Sequence, residues 1–196
     1  MNTRIFKLLV LLLSINFGMQ SQTEYKLSEN AEMKIDGSST VSDWAVEVQE
    51  ATGSFTLVNE VKMEVGASLY STLEFSFPVE KMESGRGPIM NSKIKKALLS
   101  EANPSVTYTS TENKIISVDG NNFILESKGI ISAAGVEKPF EVSFDCIFDA
   151  EMNTISFEGN KDLTLSMFDI VKPTAFFGKL QTKDELNVKF KVSFTK

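Results

Sequence analysis

Residues 186–194 of this 196-residue chain are LNVKFKVSF, and this segment decides the fold class. Every second residue is apolar and the residues between are polar, which is the period of a half-buried β-strand. Residues 140–148, FEVSFDCIF, repeat the pattern with one exception at Ile147. Shorter alternating runs occur along the chain, at residues 44–48, 55–57, 73–79, 106–108, 123–125, 155–157 and 163–167. The sequence therefore predicts an all-β protein.

The turns between these runs predict antiparallel pairing. Residues 119–122, DGNN, are a strong hairpin signal because Gly and Asn adopt positive φ at low cost. Gly53 lies where the apolar residues change from even to odd positions, which predicts a β-bulge. Antiparallel strands with one apolar face bury those faces together, either in a sandwich or in a closed barrel. The alternation alone does not distinguish these two architectures.

One segment has a helical period instead. Residues 89–100, IMNSKIKKALLS, follow a Gly-Pro pair and place their apolar residues on one helical face. Asn103 and Pro104 end this segment, so we predict one short helix over about residues 89–100. No linker, low-complexity tract or internal repeat follows residue 23, and residues 22–196 are therefore predicted to form one domain.

Residues 1–22, MNTRIFKLLVLLLSINFGMQSQ, have the pattern of an export signal. Arg4 and Lys7 form a basic start, a short apolar run follows, and a polar stretch precedes a cut near Ser21. The alternative, a membrane anchor, requires roughly 18–20 apolar residues, and this run is shorter. No cysteine lies near the cut, which excludes a bacterial lipoprotein anchor. We predict a signal peptide over residues 1–21 and a periplasmic or secreted mature protein.

The composition excludes several classes of function. The net charge is −6, with 20 basic and 26 acidic residues, whereas a nucleic-acid-binding protein normally has a basic surface. The chain has no histidine, which excludes Ser-His-Asp and Cys-His catalysis and histidine-ligated metals. Cys146 is the only cysteine and is predicted to be buried, so no internal disulfide or iron–sulfur cluster can form. We therefore predict no catalytic residues, no metal and no cofactor. An exported hydrolase ranks third, after the two non-catalytic functions described below.

Five short segments carry a resemblance to a known family, and they occur along the chain in the order found in that family. They are GSSTVSDW at 37–44, GSF at 53–55, the helix followed by NPSVTY at 103–108, GII and GVEKP at 129–139, and LSMFDI with FG at 165–178. Over residues 25–194 the chain resembles the YceI-like family of polyisoprenoid-binding, lipocalin-like proteins. Ser42 stands where many members have histidine, so no role of that histidine is carried over. Ile170 follows Asp169 where a glycine is usual.

The resemblance implies an exported, eight-stranded antiparallel barrel, lipocalin-like, that holds a polyisoprenoid or other long-chain lipid and has no catalytic activity. An eight-stranded barrel is wide enough either to be filled by side chains or to enclose one slim ligand. We expect aromatic residues of the inward stripe to line this space, some of them closing one end. The candidate ligand-binding residues are Phe75, Phe77, Tyr108, Phe123, Phe140, Phe144, Phe148, Phe157 and Phe190. The alternative is a ligand-free structural or interaction module in which the same residues form a solid core.

Two further features have alternative interpretations. Arg86 with Lys93, Lys95 and Lys96 forms a basic cluster, which either meets an anionic lipid headgroup at the barrel mouth or is a solvated helix face. Trp44, the only tryptophan, is expected to close the barrel floor.

Overall fold

The computed structural model describes residues 23–58, 61–175 and 177–196, so the predicted signal peptide lies outside the described residues. One α-helix and twelve strands form within these ranges. In chain order they are β1 Glu24–Leu27, β2 Glu32–Ser39, β3 Asp43–Val48, β4 Thr52–Leu57, β5 Tyr70–Pro78, β6 Met82–Glu83, α1 Pro88–Ala97, β7 Ser105–Asp119, β8 Asn122–Ala133, β9 Val136–Asp149, β10 Thr154–Thr164, β11 Thr174–Ala175 and β12 Leu180–Thr195.

The strands close into an eight-stranded antiparallel barrel. The ring runs β1-β4-β5-β7-β8-β9-β10-β12 and returns to β1, where Lys26 pairs with Thr195 and Leu27 with Phe194. Three further strands extend the barrel wall from β12. Strand β2 pairs with β12, β3 pairs with β2, and β6 pairs with β3. Each strand of the ring thus pairs with two neighbours, although β9 and β10 pair only over residues 145–149 and 154–158. The predicted barrel is confirmed, and a sandwich is excluded.

The predicted hairpin and bulge have different outcomes. Asp119 pairs with Asn122 across a two-residue turn in which Gly120 has a φ of 60°, as the DGNN segment predicts. The bulge predicted at Gly53 is wrong, because Gly53 pairs in register with Phe75 and the shift lies between Thr56 and Leu57. The apolar residues change parity because the chain leaves regular pairing at residues 49–51, between β3 and β4.

One half of the barrel interior is solidly filled, and we call it the packed end. Phe55, Phe157 and Phe194 are fully buried there, with ring centroids 5.0 to 5.7 Å apart in all three pairs. Tyr25 stacks on Phe55 at 5.0 Å, and the Tyr70 ring lies 6.3 Å from it. Aromatic pairs at these separations add stabilisation beyond the area they bury. This half of the barrel is a conventional core.

The opposite half, which we call the helix end, is closed by α1. Pairing between β5 and β7 stops at Pro78 and Ser105, and the chain between them includes α1. Helix α1 begins one residue before the predicted segment and ends at Ala97, with turns over residues 98–102. A small apolar cluster of Ala133, Leu165, Phe168 and Ile170 packs beside it. No helix in the described ranges is long and apolar enough to cross a membrane.

The alternation in β9 makes a prediction about thiol reactivity. Cys146 is 2% exposed and burial raises the pKa of its thiol, whereas its neighbour Ile147 is 52% exposed. A maleimide reagent is therefore expected to leave the folded protein unlabelled and to label it after unfolding in denaturant. The matched control is the double variant Cys146→Ala, Ile147→Cys, which is expected to react in the folded state. Equal labelling of the two folded proteins would contradict the inward position of Cys146.

Candidate ligand-binding cavity

A cavity of about 230 Å³ occupies the helix end of the barrel. Its walls are mostly apolar side chains of β2, β3, β5, β7, β8, β9, β10 and β12. Met90 and Ile94 of α1 cover it, together with Leu98, which follows the helix. Leu165, Phe168 and Ile170, from the short helical turn after β10, complete the cover. Nearly all of the lining is hydrocarbon. Such a surface suits an apolar ligand and offers too few polar partners to hold an ordered water molecule.

The structure divides the nine candidate ligand-binding residues into two groups. Six line the cavity, namely Phe75, Phe77, Tyr108, Phe140, Phe144 and Phe190. The other three do not line it: Phe123 and Phe157 are buried in the main core, and Phe148 packs against that core. The physical reason is height along the barrel, because Phe148 and Phe157 lie where β9 and β10 still pair, toward the packed end. The three candidates therefore close the barrel below the cavity.

Phe144 and Tyr108 form the boundary between the cavity and the packed end. The Phe144 ring lies 5.0 Å from Phe157 below and 5.5 Å from Phe190 in the cavity wall. The Tyr108 hydroxyl lies 2.6 Å from Ser127 Oγ, and burial raises the pKa of Tyr108. Because this hydroxyl already has a hydrogen-bond partner in the packed end, Tyr108 contacts the cavity with its ring and with no free polar group.

Glycines opposite aromatic residues make room for the rings that shape the cavity. Gly37 pairs directly with Trp44, and a Cβ added at Gly37 would overlap the indole. Gly159 pairs with Phe190, and a Cβ there would lie 2.8 Å from the Phe190 ring. Strand glycines commonly mark such close approaches. Trp44 therefore lines the cavity wall, and the expectation that it closes the floor is wrong because Phe144 and Tyr108 occupy that position.

The basic cluster predicted from the sequence separates into two parts. Arg86 and Lys93 line the cavity. Lys95 forms an ion pair with Glu80 on the outside, and Lys96 is exposed. Arg86 lies at the mouth, where its guanidinium donates a hydrogen bond to the backbone carbonyl of Asp43 at 2.6 Å.

Lys161 is a lining residue that the sequence analysis missed. It occupies an inward position of β10, in the series Ile155, Phe157, Gly159, Lys161 and Leu163. Its ammonium group lies 5.5 Å from the centroid of the Phe140 ring, within the range of a cation–π contact. The period of two marks this lysine as inward, so the signal was present in the sequence.

The lining is mostly apolar, and the thiol of the chain lies outside it. Cys146 is buried outside the cavity, and the buried hydroxyls of Tyr70, Tyr108, Ser110 and Ser127 bond to one another in the core. Within the described part of the chain, no group of three or more potential metal-ligating side chains occurs. The arrangement can exclude water from an apolar chain and hold that chain between α1 and Phe144.

The chain belongs to the YceI-like domain family, whose match covers residues 24–194. This match supports the resemblance drawn from the five sequence segments. Among curated protein sequences, no significant match to this chain is found.

Solved structures share the fold at low sequence identity. A polyisoprenoid-binding domain from Saccharophagus degradans, implicated in plant cell wall breakdown, superposes with a TM-score of 0.68 at 8% identity, covering 89% of this chain and 98% of that one. BcnA from Burkholderia cenocepacia has a TM-score of 0.61 at 14% identity, with 83% and 95% coverage. The YceI protein of Campylobacter jejuni has a TM-score of 0.56 at 13% identity, with 77% and 84% coverage. At these identities the likeness concerns the fold alone.

The contact between Gly37 and Trp44 predicts coupling between the two positions. Gly37→Ala is expected to lower the free energy of unfolding by about 1–3 kcal/mol, because the added methyl group displaces the indole. In a Trp44→Leu background the same change is expected to cost much less, since the smaller side chain leaves room. Denaturant unfolding of the four proteins measures the coupling. An equal cost in both backgrounds would show that the indole does not occupy this space.

Proposed function

We propose that this protein is an exported binding protein that sequesters a long apolar chain, a polyisoprenoid or a related lipid, inside its barrel. The observation that carries the proposal is the unequal filling of the two halves. Buried aromatic and aliphatic side chains pack together at the packed end, whereas at the helix end the same barrel keeps an apolar cavity of about 230 Å³. Membership of the YceI-like family and the fold shared with a polyisoprenoid-binding domain support the same class of ligand.

The size of the cavity defines what it accepts. An apolar protein cavity of about 150 Å³ binds benzene, so the larger space here takes a slim hydrocarbon segment. Each methylene group transferred from water contributes about 0.8 kcal/mol, which favours a chain without any hydrogen-bond recognition. A ligand longer than the cavity extends out of it past α1. Chain width and length therefore select the ligand more than chemical detail does.

A ligand-free module with a solid core is the alternative, and the two proposals differ in one respect. A solid module requires both halves of the barrel to be packed as densely as the packed end. At the helix end, Val142, Val188 and Ile35 face space that no described side chain fills. Native interiors rarely leave voids much larger than a water molecule without a ligand or a function. This observation favours binding.

Export is the second part of the proposal and rests on residues 1–21 of the sequence. Mass spectrometry of the intact protein recovered from the cell envelope is expected to place the mature N-terminus near Gln22. Protein recovered there with Met1 intact would contradict cleavage.

A pair of matched substitutions tests whether the cavity is a binding space. Val142→Phe adds its ring to the cavity, so we expect little change in stability and a loss of binding to the longest chains. Ile155→Phe adds the same kind of ring at the packed end, where Ile155 is buried, and we expect destabilisation by about 1–3 kcal/mol. Melting temperatures measured with and without polyprenyl alcohols of increasing length provide both readouts.

The ligand response distinguishes the alternatives. If the wild-type protein binds, a ligand at a hundredfold excess over its Kd stabilises the fold by about 2.7 kcal/mol. The Ile155→Phe variant is expected to keep the response to ligand despite its lower melting temperature. Absence of any response in the wild-type protein, together with strong destabilisation by Val142→Phe, would establish the solid module instead.

A further inference from the structure

The charged residues that line the cavity are all of one sign. Arg86, Lys93 and Lys161 line it, and no aspartate or glutamate is among the described lining residues. This distribution is unexpected in a chain that carries 26 acidic and 20 basic residues. An apolar space with cations and without carboxylates has a positive potential that favours an anion.

Lys161 has a different environment from two lysines on the neighbouring strand β12. On the outside of the neighbouring strand, Lys189 pairs with Asp36 at 2.9 Å and Lys191 with Glu158 at 3.7 Å. Lys161 is half-buried among apolar side chains, and it forms no ion pair with any residue in the described ranges. Its contact is the face of Phe140. Partly desolvating an ammonium group without an acidic partner costs stability, so a methionine would be the better choice for an empty barrel.

A second unpaired donor lies in the next inward row of the same wall, three strands away from Lys161. In the ladder formed by β10, β12, β2 and β3, the row of Lys161 is Val188, Ile35 and Val46. The adjacent inward row contains Leu163, Leu186, Gly37 and Trp44. The indole Nε1 of Trp44 is buried and has no hydrogen-bond partner among the described residues. Buried donors are normally paired, and an unpaired one needs an explanation.

We propose that the ligand is an acidic lipid, whose apolar chain lies in the cavity and whose terminal carboxylate or phosphate is bound by Lys161. This inference rests on the proposed function, because it names the class of lipid that the same cavity accepts. Arg86 and Lys93 add positive charge toward the mouth, and the Trp44 Nε1–H is a further donor on that wall. The chain is thus bound through its length and the head through its charge.

The test compares ligands that share one chain and differ in the head. The probes are geranylgeranoic acid, geranylgeranyl phosphate and geranylgeraniol, with inorganic phosphate as the chain-free anion. Because hydrogen bonds to charged groups are the stronger class, the wild-type protein is expected to bind at least one acidic probe roughly tenfold to a hundredfold more tightly than the alcohol. Inorganic phosphate is expected neither to bind measurably nor to displace the lipid at the same concentration.

Two variants that each remove one lysine charge test whether Lys161 causes the preference for the acidic lipids over the alcohol. Lys161→Met is expected to abolish the preference for the acid over the alcohol, and circular dichroism is expected to show that the barrel is folded. Lys96→Met removes the same charge from the exposed face of α1, away from the cavity, and is expected to keep the preference. Without ligand, Lys161→Met is expected to melt at or above the temperature of the wild type, because an unpaired cation is gone.

The outcomes separate this inference from the function on which it rests. Equal affinity of the wild type for all three lipids would overturn the acidic-lipid inference and leave lipid binding in place. Binding of none of them would overturn the proposed function itself. Displacement by inorganic phosphate alone would identify a free-anion site and contradict a lipid source. A preference that persists in Lys161→Met, or that Lys96→Met loses equally, would show that Lys161 does not hold the head.

Discussion

Strand β12, Leu180–Thr195, holds the barrel closed, and the rest of the structure depends on its two ladders. One edge pairs with β10 over eleven consecutive residue pairs, from Thr154–Thr195 to Thr164–Glu185. The other edge pairs with β1 near its end and with β2 over most of its length. The first and last strands of the chain are thereby joined, which turns an open sheet with two free edges into a ring with a defined interior.

Once the ring is closed, the distribution of side-chain volume along its axis decides what the interior contains. At the packed end, Phe55, Phe157 and Phe194 meet directly across the barrel. At the helix end, aliphatic side chains and rings such as those of Phe140 and Phe190 surround the cavity, and α1 covers it beyond the last pair of β5 and β7, Pro78–Ser105. The rings that meet across the packed end fill it, and one apolar space is left between Phe144 and α1. A ligand site therefore follows from composition and closure, without catalytic machinery.

The sequence predicted the strands and which residues face the barrel interior, but not the position of each residue along the barrel axis, which we call its height. Alternation placed Phe157 and Phe190 on the same inward face, yet Phe157 belongs to the packed end and Phe190 to the cavity wall. Height depends on the register between strands, which no local pattern contains. Closure was likewise implied by the family resemblance, since periodicity is the same in a sandwich. Lys161 continues the period of two of Ile155 and Phe157, but a charged residue gives no apolar signal at an inward position. Gly53 was assigned a bulge because its long-range partner, Phe75, is not visible locally.

The most direct test of the central claim is the location of a ligand inside the barrel. Crystals of the protein with a C20 isoprenoid acid brominated at the hydrocarbon end would show the tail by anomalous scattering. We predict a bromine peak within the cavity, above Phe144 and beneath α1, with the acid group toward Lys161. A bromine peak confined to the outer surface of the barrel, with the interior unchanged, would contradict the account.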